Sequence, residues 1–159
     1  MTIYNKVKNL SLDKSNETKL KYYLLDCCLK YKGYRSSGYL EKGVAAAKKY
    51  IKGYSTWKDL HKIEWYLEGE AFGIDFYKED GIYGRYPIDK CMLSDLCKVR
   101  INKQLNQKEA VSYLQDLAYF ITMVISFCIW GVKDLPDQKF ERFLCPVLFK
   151  KHFKTCPAR

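Results

Sequence analysis

The chain has 159 residues, the length of one domain, and can bury a hydrophobic core without a disulfide or structural metal. Apolar residues make up 48%, which excludes a disordered chain, and nine glycines with four prolines exclude collagen-like or Pro-rich architecture. The 28 Lys and Arg against 18 Asp and Glu give a formal net charge of +10. These numbers predict a basic protein with a single domain over residues 1–159.

The first half of the chain is predicted to be helical. Residues 15–31 carry apolar side chains at helical spacing behind Ser15, which is suited to cap the helix. The same spacing predicts a helix over residues 37–52. A third helix is expected to begin at Ser55 and to fray near Gly73.

The next segment, residues 73–87, holds three glycines and a proline. We expect an ordered loop here, with a small hairpin across Asp80 and Gly81 as the alternative. Pro87 is suited to the first turn of a further helix that runs to about residue 100.

The longest predicted helix runs from a cap at Asn106 to about Trp130. It is apolar on nearly every side, which is typical of a central core helix. Two short helices are expected over residues 136–144 and 146–153. The sequence therefore predicts an all-α bundle of about seven helices around residues 107–130.

The same central segment bears on the compartment of the protein. Residues 117–130 are uncharged, but 14 residues are fewer than the roughly 20 that span a bilayer, so we expect a buried helix and no membrane partner. Seven cysteines, an odd number without a CxxC motif, and no signal peptide predict free thiols in the cytoplasm.

Catalytic and metal-binding patterns are weak. The chain has only two histidines, His61 and His152, with no catalytic signature beside either, and no phosphate-binding glycine motif, so we do not expect an enzyme. His61, Glu64 and Glu68 share a helix face that could hold a divalent metal, but no second helix offers Glu-x-x-His. We therefore predict no metal and no cofactor.

Charge is unevenly distributed along the chain. Residues 1–62 carry a net +9, residues 63–101 a net −3 and residues 102–159 a net +4. In the acidic centre, large aromatic residues alternate with carboxylates, which is the composition of binding hot spots. The predicted partner-binding residues are Asp59, Glu64, Trp65, Glu68, Glu70, Phe72, Asp75 and Tyr77.

The basic N-terminal part supports a different hypothesis. Basic residues and tyrosines are interleaved over residues 4–8 and 19–35, as in surfaces that follow a phosphate backbone and stack on bases. A basic nucleic-acid-binding module is therefore the alternative function. Only five of the basic residues are arginine, and charge alone predicts non-specific, salt-sensitive binding.

Two parts of the sequence resemble the all-α immunity proteins of bacterial polymorphic-toxin and contact-dependent inhibition systems, and specifically the sixth numbered immunity family. The first is residues 57–75, with Glu-Gly-Glu-Ala-Phe at residues 68–72 as its distinctive string. The second is the long C-terminal helix with Trp130, followed by Phe-Leu-Cys-Pro at residues 143–146. The resemblance covers about residues 40–150.

The resemblance implies a cytoplasmic protein that binds a cognate toxin domain and blocks it, without catalytic residues. Immunity proteins against nucleases are commonly acidic, whereas this chain carries +10. Either the acidic centre makes the contact, or the target is an acidic toxin that is not a nuclease. Opposite charges would raise the association rate in both cases.

Overall fold

The computed structural model describes the backbone of residues 1–34, 39–80, 90–131 and 137–154, and the side chains of these except 39, 70–80 and 90–92. The described residues form seven α-helices and two short 3-10 helices, and no strand. The elements are α1 (Ile3–Lys8), α2 (Lys14–Leu29), η1 (Lys32–Tyr34), α3 (Tyr39–Ile51), α4 (Trp57–Asp80), α5 (Lys90–Lys103), α6 (Gln107–Trp130), η2 (Gln138–Phe143) and α7 (Pro146–His152). The predicted all-α fold is confirmed.

The central helix is α6, as the apolar pattern predicts. It packs against α2, α3, α4, α5 and η2. Among the described helices it is the one long and apolar enough to cross a membrane, but 67% of its most apolar window is buried within the fold, as in a core helix. Both predicted ends are confirmed. The Asn106 side chain accepts a hydrogen bond from the Glu109 N–H at 2.9 Å, and Gly131 follows with φ of +89°.

Helix α4 is longer than the sequence pattern predicts. It continues without a break through Gly69 and Gly73 to Asp80, so the prediction that residues 73–80 form a loop or hairpin is wrong. A glycine inside a helix costs about 1 kcal/mol relative to alanine, which weakens a helix without ending it. The rest of that predicted loop, residues 81–87, lies outside the described residues.

Several helix starts also differ from the prediction. The cap of α2 is Asp13 rather than Ser15, because the Asp13 carboxylate accepts the Asn16 N–H at 2.8 Å. Helix α4 begins at Trp57, two residues after the predicted cap Ser55. Helix α1 has only six residues and no apolar period long enough to detect. The helix predicted at 136–144 is the 3-10 helix η2.

The core is formed by α2, α3, α4, α5, α6 and the C-terminal elements. The stripe predicted for α2 is buried at Leu20, Leu24, Cys27 and Cys28. Phe120 of α6 stacks on Phe143 of η2 with ring centroids 5.3 Å apart. This ring contact packs η2 against the central helix.

Candidate functional site: an exposed tryptophan surface

All three tryptophans of the chain are exposed. Trp57 is 45% exposed, Trp65 67% and Trp130 44%. Tryptophan carries a large apolar area and is highly buried on average in folded proteins. It is therefore unusual that all three tryptophans of one domain are exposed on its surface.

The geometry of α4 explains how two of them come to lie outside. Trp57, His61 and Trp65 are four residues apart, so they share the outer face of the helix. Leu60 and Leu67 lie on the side of the helix that faces the bundle and are buried in the core. The inward leucines hold α4 on the bundle and thereby fix the direction in which the aromatic residues point.

The third tryptophan comes from another helix. Trp130 is the last residue of α6, and its ring lies 6.0 Å from that of Trp57 and 6.1 Å from the imidazole of His61. Trp57 and His61 are themselves 6.1 Å apart, so the three rings form a triangle. Farther along α4, Trp65 packs beside Tyr66 at 5.9 Å. We call Trp57, His61, Trp65, Tyr66 and Trp130 the tryptophan surface.

A buried carboxylate supports this surface from beneath. Glu64 is 7% exposed, and its Oε1 lies 3.2 Å from Nδ1 of His61. The contact with the carboxylate fixes the orientation of the imidazole. The other oxygen, Oε2, is also buried and has no hydrogen-bond partner within the described part of the chain. Glu64 therefore positions His61 rather than presenting its charge to a partner.

The other predicted binding residues are only partly described. Asp59 is exposed in the first turn of α4, where it accepts a hydrogen bond from the Thr56 hydroxyl at 3.2 Å. Glu68 is half-buried. The remaining four predicted residues lie in the second half of α4, and their side chains are outside the described residues: Glu70, Phe72, Asp75 and Tyr77.

The described half of the surface is mixed in charge. Lys58 and Lys62 are exposed on α4 beside the rings, and Asp59 is exposed with them. The acidic excess of the sequence falls instead in the second half of the helix, where residues 70–80 contain four carboxylates and one lysine. Along α4, a ring-rich segment of mixed charge is thus followed by an acidic segment.

Sequence reasoning identified Trp65 but omitted the other four residues of the tryptophan surface from the predicted site: Trp57, His61, Tyr66 and Trp130. The four-residue spacing of Trp57, His61 and Trp65 is a signal that was present in the sequence. Trp130 lies 73 positions after Trp57 in the chain, and no local pattern connects them. Only the packing of α4 on α6 brings the two rings together.

Two of the four tyrosines in the basic segment, residues 19–35, are in a different environment. Tyr23 is fully buried, and its hydroxyl donates to the backbone carbonyl of Cys145 at 3.1 Å. Tyr31 is half-buried between Tyr34 and Phe143, at ring distances of 6.4 and 5.6 Å. Rings held in this way serve the core and present little face on which a base could stack.

The described residues give no sign of a metal centre: no group of three His, Cys, Asp or Glu side chains converges among them. Comparison with known proteins gives no match, since no family model, curated protein or solved structure is significantly similar to this chain. We therefore infer the function from the tryptophan surface itself.

Proposed function

We propose that this chain is an immunity protein, which binds a cognate toxin domain and neutralises it through the tryptophan surface. The observation that carries the proposal is the exposure of all three tryptophans, two of them in one ring triangle. Tryptophan is the residue most enriched at the energetic centre of protein interfaces. The resemblance of residues 57–75 to immunity proteins supports the choice of partner.

The proposed mechanism requires binding alone. An inhibitor blocks an enzyme when it covers the active site or holds a part of the toxin that must move. The ring triangle of Trp57, His61 and Trp130 offers a rigid apolar anchor, because each ring already contacts the other two. A rigid anchor loses little conformational entropy when it binds, which favours slow dissociation.

Charge would contribute to the rate of encounter. The acidic second half of α4 adjoins the anchor along the chain, and a basic surface on the toxin would be attracted to it. Reversing Glu68 and Glu70 to lysine is therefore expected to slow association and to weaken its dependence on salt. Unchanged association after the double reversal would place the contact elsewhere, for example on the basic residues 19–35.

The direct test is growth rescue in a bacterial cytoplasm. If a large protein is encoded next to this chain, its C-terminal domain is expressed with the wild-type chain, with a Trp57→Ala/Trp65→Ala variant or with an Ile101→Ala control; the absence of a toxic neighbour would count against the immunity function. Ile101 is 76% exposed on α5 and is the matched control for removing an exposed apolar side chain. We expect rescue and co-purification with the wild type and the control, and loss of both with the double variant.

Each outcome has a separate meaning. Toxicity that the wild-type chain does not relieve would overturn the immunity function. Rescue that persists in the tryptophan variant would keep the function but reject this surface. The thermal unfolding of both variants, followed by circular dichroism, verifies that they are folded.

The net charge of +10 favours the alternative function, a basic nucleic-acid-binding module. That alternative predicts tight binding to single strands with a sequence or structure preference that persists as salt rises. Binding that falls uniformly with salt would reflect counterion release alone. A fluorescent oligonucleotide titrated at several salt concentrations distinguishes these outcomes.

A further inference from the structure

A second chemical cluster lies where α7 meets α2, outside the surface proposed above. Cys145 immediately precedes α7, and its sulfur lies 3.3 Å from Nζ of Lys30. The sulfur of Cys27, on α2, accepts the backbone N–H of Cys145 at 3.5 Å. The thiols of Cys27 and Cys145 and the ammonium group of Lys30 therefore lie close together, although Cys145 is distant in sequence from the other two.

The two thiols differ in electrostatic environment. Burial would raise the pKa of Cys145, but hydrogen bonds from the Leu148 N–H, the Lys30 ammonium and the Val147 N–H outweigh it, so the pKa is lowered. Burial raises the pKa of Cys27 to about 11. Cys145 thus favours the reactive thiolate, and Cys27 remains a protonated thiol.

The two cysteines also differ in solvent exposure, and Cys145 is again the one better placed to react. Cys145 is 9% exposed, and Lys30 beside it is a surface residue, so the cysteine lies at the outer edge of the core. Cys27 is fully buried behind it. An oxidant from solvent would meet Cys145 first, and Cys27 would be the thiol next to the product.

We propose that Cys145 and Cys27 form an oxidant-responsive pair, in which Cys145 reacts with hydrogen peroxide and Cys27 then closes a disulfide. In the first step the Cys145 thiolate attacks one peroxide oxygen, the O–O bond breaks, and hydroxide leaves and takes up a proton. In the second step the Cys27 sulfur attacks the Cys145 sulfenic acid, releases its proton, and displaces water. Two thiols and one peroxide become one disulfide and two waters.

The disulfide would join α2 to the start of α7, across a sequence separation of 118 residues. In the reduced protein this junction is held by packing, by the Tyr23 hydroxyl, which donates to the Cys145 carbonyl, and by the contact between His152 and Asp26. Oxidation would add a covalent link at the same point. The Cys27–Cys145 pair is separate from the tryptophan surface, so its oxidation does not depend on the proposed toxin binding.

The test treats the folded full-length chain with limited hydrogen peroxide, alkylates the remaining thiols and maps the peptides by mass spectrometry. We expect a loss of two mass units and a Cys27–Cys145 cross-linked peptide. Cys97 is the internal comparison, because it is exposed and would react first if exposure alone controlled the chemistry. Oxidation of Cys97 with Cys145 unmodified would overturn the proposal, as would a disulfide between other cysteines.

Two variants define the roles. Lys30→Met keeps the apolar stem but removes the ammonium, and we expect Cys145 oxidation to slow at least tenfold, whereas the matched surface change Lys19→Met leaves the rate unchanged. Cys27→Ser should stop at the sulfenic acid, trapped with dimedone on Cys145. An unchanged rate in Lys30→Met, or no sulfenic acid in folded Cys27→Ser, contradicts the proposed chemistry. Urea unfolding of each variant verifies the fold.

Discussion

Two regions of this protein combine aromatic rings with charge, and they use them in opposite ways. In the tyrosine segment, residues 19–35, Tyr23 is buried in the core and Tyr31 is packed between two other rings. In the tryptophan surface, Trp57 and Trp65 remain in solvent on the outer face of α4. The aromatic residues therefore stabilise the fold in the tyrosine segment, whereas those of the tryptophan surface are exposed and can contact a partner.

The difference follows from what covers each helix. Helix α2 packs against α3, α6 and α7, so few of its faces remain open. Helix α4 packs against α3 and α6 with its leucine face, and the described elements leave its opposite face uncovered around Trp65. Exposure, rather than residue type, distinguishes an aromatic residue that holds the fold from one that can bind a partner.

The largest expected contrast is in stability. Tyr23→Ala removes a fully buried ring and is expected to lower the free energy of unfolding by about 3–5 kcal/mol. Trp65→Ala removes an exposed ring and should change it by no more than about 0.5 kcal/mol. Urea denaturation of the two variants measures both values. Comparable losses would mean that Trp65 is part of the core and would undermine its assignment to a binding surface.

Alkaline pH should lower the free energy of unfolding because of the buried thiols. Burial raises the pKa of Cys27 to about 11, that of Cys28 well above its usual range and that of Cys128 to about 12. Unfolded thiols lose their protons near pH 8.5, whereas the folded ones keep them. The unfolded state therefore binds fewer protons, and stability should fall as pH rises through this window, by about 1.4 kcal/mol per pH unit for each thiol.

The measurement is the free energy of unfolding between pH 8 and pH 11, compared with a Cys28→Ala variant. In the variant the free energy of unfolding should fall less steeply with pH, because one titrating thiol is missing. This difference in slope is expected whatever the stability of the variant at neutral pH. Equal slopes for the two proteins would show that Cys28 does not remain protonated in the folded state. The Trp65→Ala variant is the second control, and its slope should match that of the wild type.

For partner binding we expect the reverse order of effects. If Trp57 is an anchor, Trp57→Ala should weaken the toxin complex by about 2 kcal/mol, or roughly 30-fold in Kd. Tyr22→Phe, in the tyrosine segment, should leave Kd unchanged. Calorimetry on the purified pair measures both. A large effect of Tyr22→Phe with none of Trp57→Ala would move the interface to the basic segment.

The smallest predicted effect concerns one hydrogen bond. Tyr23→Phe keeps the buried ring but removes the hydroxyl that donates to the Cys145 carbonyl, and should cost about 1 kcal/mol. Tyr22→Phe serves again as the matched control, because Tyr22 is only half-buried on the same helix. The shift in the urea midpoint between the two variants gives the contribution of the bond. No difference between them would mean that the hydroxyl adds nothing to the docking of α7.

Residue pattern alone determined much of the architecture. The uninterrupted apolar character of residues 107–130 predicted a central helix, and Asn106 and Gly131 marked its ends, because capping and apolar spacing are local properties. The end of α4 was mispredicted because two glycines lower helix propensity without deciding the outcome. The predicted start of α2 was also wrong. Asp13 and Ser15 are both residues that favour the cap position, and in the structure the helix is capped by Asp13.

The tryptophan surface shows the limit of sequence reasoning more clearly. The sequence supplied the aromatic and acidic residues of α4 and the four-residue spacing that places Trp57, His61 and Trp65 on one face. Tertiary structure decided that Glu64 is buried beneath His61 and that Trp130 completes the triangle. The reason is that burial and long-range ring contacts depend on which helices meet, and the packing of α4 on α6 is not encoded in either helix alone.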